Sequence, residues 1–344
     1  MKHILICGGL GYIGSHTVIE ACINYNVIII DNLSNSNIIV LQHLKTITNK
    51  KIRFIKCDLT NYKELQNTIG NLQQINITMD SIIHFAALKS VSESINNPIQ
   101  YYENNLISTL NILKVMKHFH INKLIFSSSA TVYSKPLLCP LKETYTTGLH
   151  LTNPYGKTKH FNEEILQDFC NANSQIQCIS LRYFNPIGSH SSGLIGDNPN
   201  GIPNNLLPYI QKVLMGKLPY LRIYGDDYDT EDGTGERDYI HVVDLANTHI
   251  KALEYCNNTS NGMYKCINIG TGIPYSVLNI VKMMEKVSNK TIPYKIEPRR
   301  DGDLAIVYAD TTYSENILQW KSTKNLQDMC ESIWKYVQQN FTKN

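Results

Sequence analysis

Tyr155 and Lys159 stand four residues apart in Asn153-Pro154-Tyr155-Gly156-Lys157-Thr158-Lys159. Asn153 suits a helix N-cap and Pro154 a first helical residue, so the pair falls on one helix face, one turn apart. A free phenol ionises near a pH of about 10, so a tyrosine acting as a base near neutrality needs its pKa lowered by roughly 3 units, about 4 kcal/mol. An ammonium one turn away and the positive helix end both push in that direction. Ser129 precedes Tyr155 by 26 residues, in Ser127-Ser128-Ser129-Ala130-Thr131-Val132-Tyr133 after an apolar run. Its hydroxyl is placed to hold a substrate alcohol whose proton Tyr155 removes. Taken alone, a Tyr-x-x-x-Lys pair is common on surface helices. Its neighbours give it weight.

A second cluster opens the chain. Cys7-Gly8-Gly9-Leu10-Gly11-Tyr12-Ile13-Gly14 carries glycines at 8, 11 and 14, between an apolar run and Ser15-His16-Thr17-Val18-Ile19-Glu20. Gly8 can turn the chain tightly, Gly11 leaves room for a pyrophosphate, and Gly14 lets a helix sit close on its strand. The first N–H groups of that helix then face the phosphates. Asp31 ends the next apolar run, 17 residues after Gly14, where a carboxylate accepts from an adenosine ribose. No Arg or Lys follows in Asn32-Leu33-Ser34-Asn35-Ser36 to take an extra ribose phosphate, so NAD is expected rather than NADP. The cationic nicotinamide of NAD+ adds to the charges acting on Tyr155. Asp58 ends a third run, either at the adenine edge or as an ordinary turn residue.

These groups need a frame. Apolar runs at 3–7, 27–31, 52–57, 81–87, 123–128 and 177–184 are continuous rather than alternating, as in strands buried on both faces of a parallel sheet. Helical spacing fills the gaps, notably at 98–118 and 153–172. The expected fold is therefore α/β, a Rossmann-like doubly wound parallel sheet with a smaller mixed α/β C-terminal lobe. The expected units are 1–186, a dinucleotide-binding domain, and 187–344, a looser lobe with some segments returning to the first. The length of 344 residues fits two such units. The 42% apolar and 18% charged residues exclude a disordered chain. A net charge of +3, from 32 Lys and Arg against 29 Asp and Glu, gives no basis for a nucleic-acid partner. Nine cysteines without a C-x-x-C pair argue against a disulfide framework or metal site and for a reducing cytoplasm. No run approaches the ~18 apolar residues of a membrane span, and the opening apolar stretch is too short for a signal peptide.

Together, Gly8-x-x-Gly11-x-x-Gly14, Ser129 and Tyr155-x-x-x-Lys159 resemble the extended short-chain dehydrogenase/reductase superfamily. Longer strings resemble the UDP-glucose 4-epimerase family within it. They are Gly11 to Thr17, Ser127 to Tyr133, Arg182 to Pro186, Gly201 to Leu206, Thr230 to Val242, and Pro298-Arg299-Arg300 with Gly302-Asp303-Leu304. The resemblance implies a tightly held NAD+ that takes a hydride from C4 of a UDP-hexose while Tyr155 takes the 4-hydroxyl proton. The keto sugar then turns over and the hydride returns to its other face. It implies Lys159 as the residue that tunes Tyr155 and Ser129 as the one that steadies the hydroxyl. Cofactor contacts carry over onto Tyr12, Ile13, Asp31, Asn32, Asn35, Ser36, Asp58, Leu59, Phe85, Ala86, Lys89, Asn104, Ser127 and Tyr183. Substrate contacts carry over onto Lys89, Ser129, Tyr155, Asn185, Asn205, Leu206, Tyr224, Arg237, Arg300, Asp303 and Val307. On their own residues, Lys89 and Asn104 read as solvated surface, and Arg237 between Glu236 and Asp238 as a surface ion pair. The resemblance makes Arg237 and Arg300 a clamp on the diphosphate. It also implies a homodimer built from helices 98–118 and 153–172.

Three positions depart from the family pattern. Cys7 replaces the usual Thr before the glycines, where a thiol beside phosphates is open to oxidation. Ser134 replaces Gly after Tyr133. Val307 replaces a bulky Tyr that restricts the pocket to glucose and galactose, so UDP-N-acetylhexosamines (UDP-GlcNAc and UDP-GalNAc) are expected as further substrates. Competing expectations are a UDP-glucuronate decarboxylase, a 4,6-dehydratase and a dinucleotide-binding regulator without catalysis. A dehydratase places an Asp-Glu pair just after the serine strand, where this chain has Ala130-Thr131-Val132. A regulator typically loses the Tyr/Lys pair.

Overall fold

The computed structural model describes every residue except 135–137, 200, 202, 204, 301 and 342–344. Ile202 and Asn204 of the Gly201 to Leu206 string therefore lie outside the described residues. In the first half, strands β1 (His3–Cys7), β2 (Asn26–Asp31), β3 (Arg53–Lys56), β4 (Met79–His84), β5 (Lys123–Ser129) and β6 (Gln177–Tyr183) alternate with helices. The helices are α1 (Tyr12–Asn24), α2 (Ile39–Thr48), α3 (Tyr62–Gln74), α4 (Val91–Asn96), α5 (Pro98–Phe119) and α6 (Pro154–Ala172). Then come β7 (Asn185–Ile187), α7 (Leu206–Leu214), β8 (Leu221–Tyr224), β9 (Glu236–His241), α8 (Val242–Asn258) and β10 (Met263–Ile269). The chain closes with β11 (Pro274–Ser276), α9 (Val277–Ser288), β12 (Tyr294–Glu297), β13 (Ile306–Val307), α10 (Thr312–Leu318) and α11 (Leu326–Phe341).

Seven strands form one sheet in the order β3-β2-β1-β4-β5-β6-β10, every pair parallel. β1 shows why its sequence is apolar without alternation. Ile4 and Ile6 pack into one layer with Val18 and Ala21 of α1 and Leu245 and Leu253 of α8. Leu5 and Cys7 pack into the other with Ile112 and Met116 of α5 and Leu166 of α6. Both faces are thus covered, each buried aliphatic side chain contributing about 1.5–3 kcal/mol of transfer free energy. The strand order turns around between β1 and β4, and in such sheets ligands bind in the crevice outside the strand ends at that point.

β4 ends at His84, three residues before the sequence suggests. Phe85 and Ala86 instead curl over the end of β1, their N–H groups both donating to the Cys7 carbonyl at 2.9 and 3.1 Å. β10 pairs with β6 from Met263↔Gln177 to Ile269↔Tyr183, and α8 packs on α1, so residues 242–269 return to the first sheet. Of the remaining C-terminal elements, α7, β8, α9 and α11 gather around Leu207, Ile210, Ile223, Ile280, Met284, Met329 and Ile333, while α10 packs on α8 and β10. Among the described residues no helix is long and apolar enough to cross a membrane, and no cluster of His, Cys, Asp and Glu is placed to hold a metal.

Candidate active site

The glycine turn links β1 to α1. Gly8 has φ +78°, and a Cβ there would lie 2.7 Å from Ala86 N, so only glycine fits. A Cβ on Gly14 would overlap the Gly8 carbonyl oxygen. Gly11 is open, its nearest obstacle being that same oxygen at 3.3 Å, and it caps α1 without any side chain covering the first N–H groups. Those donors, the open space beside Gly11, and Asp31 at the rim of the turn fit a dinucleotide pyrophosphate and ribose. Asp31 is held by Leu10 N (3.1 Å), Leu33 N (2.9 Å) and Ser36 Oγ (2.8 Å). Asn32 Nδ2 donates to Asp58 Oδ2 at 3.2 Å, and the Thr60 amide and hydroxyl donate to Oδ1. Burial works to raise the Asp58 pKa, but these hydrogen bonds outweigh it and hold the carboxyl below its ordinary value.

Other positions expected at this mouth divide. Tyr12 and Ile13 open α1, and Tyr12 donates to the Gly188 carbonyl at 2.7 Å. Lys89 sits 5.9 Å from the Tyr12 ring centroid and 4.0 Å from Asp197. Phe85 and Ala86 lie at the turn, the Phe85 ring 4.7 Å from that of His249. Asn104 donates to Asn105 Oδ1 at 2.9 Å on α5. Leu59 is core, and Asn35 is exposed. Cys7 does not border the mouth. It is buried among Leu5, Ile28, Ile30 and Cys57, and burial raises its thiol pKa, which removes the expectation of oxidation beside phosphates.

Asn153 caps α6 through Gly156 N at 2.8 Å, with Pro154 in the first turn. Tyr155 and Lys159 then face the end of β5. Lys159 Nζ is buried, donates to the Ser127 carbonyl at 2.5 Å, and lies 4.9 and 5.9 Å from the ring centroids of Phe126 and Tyr155. Burial pushes the Tyr155 hydroxyl up to about 12, opposed by a hydrogen bond with Ser129. Burial also draws Lys159 down to about 7, opposed by the Glu163 carboxylate. Both shifts share one cause, a dry pocket that disfavours charge. A phenol in this pocket gives up its proton only when nearby positive charge outweighs that burial. Tyr183 enters from β6 beside Ser127, and its hydroxyl donates to His249 Nε2.

The arginines converge in the C-terminal half. Asp303 takes Arg300 Nε at 2.9 Å and lies 3.5 Å from Arg237 Nη2, while the Arg300 guanidinium sits 4.8 Å from the centre of the Tyr224 ring. Arg237 is aimed by its neighbours. Asp238 points the other way into the protein, fully buried, and accepts from Thr271, Gly272 and Ala309 amides at 2.8–3.1 Å. The surface ion pair that the acidic neighbours of Arg237 suggest is therefore absent on the Asp238 side. Val307 lies on β13 opposite Arg237 of β9 and packs on a cluster of Val132, Tyr133, Leu141 and Phe184. Asn185 on β7 and Asn205 at the start of α7 are exposed, and Leu206 is partly buried in the core of the C-terminal elements.

A family model described as GDP-mannose 4,6 dehydratase matches residues 5–333. Two curated relatives are UDP-glucose 4-epimerases, from Dictyostelium discoideum (48% identical over 97% of this chain and 95% of the relative) and Drosophila melanogaster (46% over 98% and 97%). A crystal structure of UDP-glucose 4-epimerase from Bifidobacterium longum, in complex with NAD+ and UDP, superposes with TM-score 0.92 at 45% identity, covering 98% of this chain and 99% of that one. The chain belongs to the UDP-glucose 4-epimerase family. The turn after β5 agrees with epimerases rather than dehydratases. Ala130 to Val132 form a single 3-10 turn, Thr131 donates to Ser129 Oγ through its amide and hydroxyl at 3.2 and 3.0 Å, and no carboxylate is present in the turn.

Sequence reasoning missed several residues of this epimerase-family site. Glu163 and Arg182 form a forked ion pair behind Lys159, with Nη2 to Oε2 at 2.7 Å. His249 holds Tyr183, and Asp238 fixes β9. Glu163 lies one turn beyond Lys159 on the same face of α6, a spacing visible in the sequence, but its partner arrives from strand β6.

Proposed function

We propose that this chain interconverts UDP-galactose and UDP-glucose, with NAD as resident cofactor. The observation that carries this reading is the buried Lys159 ammonium, tied to β5 and facing the Tyr155 ring, beside a glycine turn built for a dinucleotide. NAD+, when bound, supplies a cationic acceptor for the hydrogen at C4 of the hexose. Tyr155 takes the 4-hydroxyl proton and later gives it back. Ser129 orients that hydroxyl, its Oγ fixed by Thr131. Lys159 holds positive charge next to the phenol so that proton loss becomes feasible in a dry pocket. Arg237 and Arg300 grip the diphosphate, exchanging Asp303 for phosphate oxygens by forked hydrogen bonds. Holding the nucleotide firmly while the sugar is gripped lightly lets the hexose present either face to one base.

Val307 extends the proposal to UDP-GlcNAc and UDP-GalNAc, because a small side chain beside Arg237 leaves room for an N-acetyl group. A homodimer is the proposed assembly. Ile95 of α4, Ile99, Ile107 and Leu110 of α5 and Phe161 of α6 are exposed apolar residues on neighbouring helices, a patch suited to a second copy. Nine free cysteines suit the reducing cytoplasm.

The test is incubation of purified chain with UDP-galactose, without added cofactor, and separation of the UDP-sugars. UDP-glucose is the expected product. No conversion, together with loss of carbon dioxide from UDP-glucuronate, would establish the decarboxylase reading instead.

A further inference from the structure

Behind Lys159 lies a buried pair of charges that the proposed reaction does not use. Arg182 of β6 donates from Nε to Glu163 Oε1 at 3.0 Å and from Nη2 to Oε2 at 2.7 Å, and Ser128 Oγ donates to Oε1 at 2.6 Å. The two side chains are 6% and 3% exposed. Arg182 Nη1 also donates to the Tyr133 hydroxyl at 2.9 Å, which donates to Asn268 Oδ1 at 2.7 Å. Tyr133 packs in the cluster that backs Val307. One ion pair thus joins α6, β5, β6, β10 and the wall of the sugar pocket.

Stability alone does not account for it, since well-packed apolar residues in place of a buried ion pair are often as stabilising or more so. The charges themselves have consequences one turn away. Glu163 and Lys159 sit four apart on α6, and Glu163 opposes the effect of burial on Lys159. We propose that the Glu163–Arg182 pair is a positioning device that keeps Lys159 cationic and directed at Tyr155, an inference that rests on the Tyr155–Lys159 chemistry above. Lys159, Arg182 and Glu163 together carry one net positive charge, which Tyr155 neutralises on becoming a phenolate. Without Glu163, two like charges would share a dry pocket and Lys159 would shed its proton. Without Arg182, the Glu163 carboxylate would turn its charge on Lys159 and cancel its field at Tyr155.

The other titratable groups around this centre are held in neutral forms by burial. They are His84 from β4, Tyr183 from β6, His249 from α8, Tyr133 after β5, and Tyr264 and Cys266 from β10. Glu143 faces Arg182 rather than Lys159, its carbonyl accepting from Arg182 Nη1 at 3.3 Å and its carboxylate from Asn268 N at 2.8 Å. Glu163 and Arg182 are therefore the charges next to the Lys159–Tyr155 pair.

The experiment measures the pH dependence of UDP-galactose turnover, and the ultraviolet difference titration of the Tyr155 phenolate against a Tyr155→Phe blank, with the NAD-loaded protein. In Glu163→Gln the alkaline limb, where Lys159 loses its proton, should move to lower pH by about one unit. In Arg182→Met the acid limb and the phenolate titration should move to higher pH by a similar amount, and Arg182→Lys should restore both. Should Arg182→Met not fold, Ser128→Ala, which frees one carboxylate oxygen, should give a smaller shift in the same direction. Folded variants with a lower melting temperature but limbs and titration unmoved would overturn the proposal and leave a purely structural pair. If the unaltered chain does not convert UDP-galactose, the reading of its reaction fails, and the phenolate titration, which needs no turnover, still decides the role of the pair.

Discussion

Lys159 Nζ donates to the Ser127 carbonyl at 2.5 Å, so the lysine is fastened to the end of β5 rather than free to reach solvent. The same strand end carries Ser129, and the same helix carries Tyr155. One hydrogen bond therefore ties the registration of the proposed base to that of the residue that orients its substrate.

Replacing Lys159 with Met removes the cation and keeps the stem. Turnover of UDP-galactose at neutral pH should fall by roughly 10²–10⁴. It should then recover as pH rises, because alkali does the deprotonation of Tyr155 that the ammonium had favoured. A Lys159→Met rate that stays flat from neutral to alkaline pH would show that the lysine does not act through the phenol.

Arg237→Ala leaves Arg300 alone with Asp303 and removes half of the proposed diphosphate clamp. The loss should appear as weaker nucleotide binding, about 10- to 100-fold, with a smaller change in kcat. Titration calorimetry with UDP reads this directly. Unchanged UDP affinity would place the diphosphate elsewhere.

Val307→Tyr should close the space beside Arg237. Turnover of UDP-GlcNAc should fall at least tenfold relative to that of UDP-galactose. Equal effects on the two substrates would remove Val307 from the specificity of the site.

Acid should weaken the fold through buried histidines. Burial draws His16 and His84 down to about 3 and His241 and His249 to about 4, from an ordinary 6.5. Each folded-state pKa lies below the unfolded one, so between about pH 6.5 and 4 the unfolded chain binds more protons, and stability falls as pH drops through that window. The combined loss is on the order of several kcal/mol. Melting temperatures recorded from pH 7 downwards check it, and a Tm that holds constant to about pH 4.5 would mean that these rings are not neutral in the fold.

The sheet was legible in the sequence because strands covered on both faces leave uninterrupted apolar runs, and the runs at 3–7 and 177–184 match β1 and β6 within a residue. Gly8, Gly11 and Gly14 were legible because backbone geometry demands them at fixed spacing. The end of β4 is not legible, since Phe85-Ala86 continues the apolar run while its amides turn to Cys7 O. What the sequence hides are partners distant in the chain. Arg182 of β6 meets Glu163 of α6, Asp238 reaches Thr271, and Asp197 faces Lys89, and no periodicity records such meetings.

The most direct test is Tyr155→Phe, which deletes one hydroxyl and leaves the ring, Lys159 and the glycine turn in place. Conversion of UDP-galactose to UDP-glucose, measured at saturating substrate with bound NAD confirmed in both proteins, should fall by roughly 10²–10⁴ while NAD content and melting temperature stay near those of the unaltered chain. Turnover within a fewfold of the unaltered chain would contradict the account, because Tyr155 would then not be the group that moves the proton.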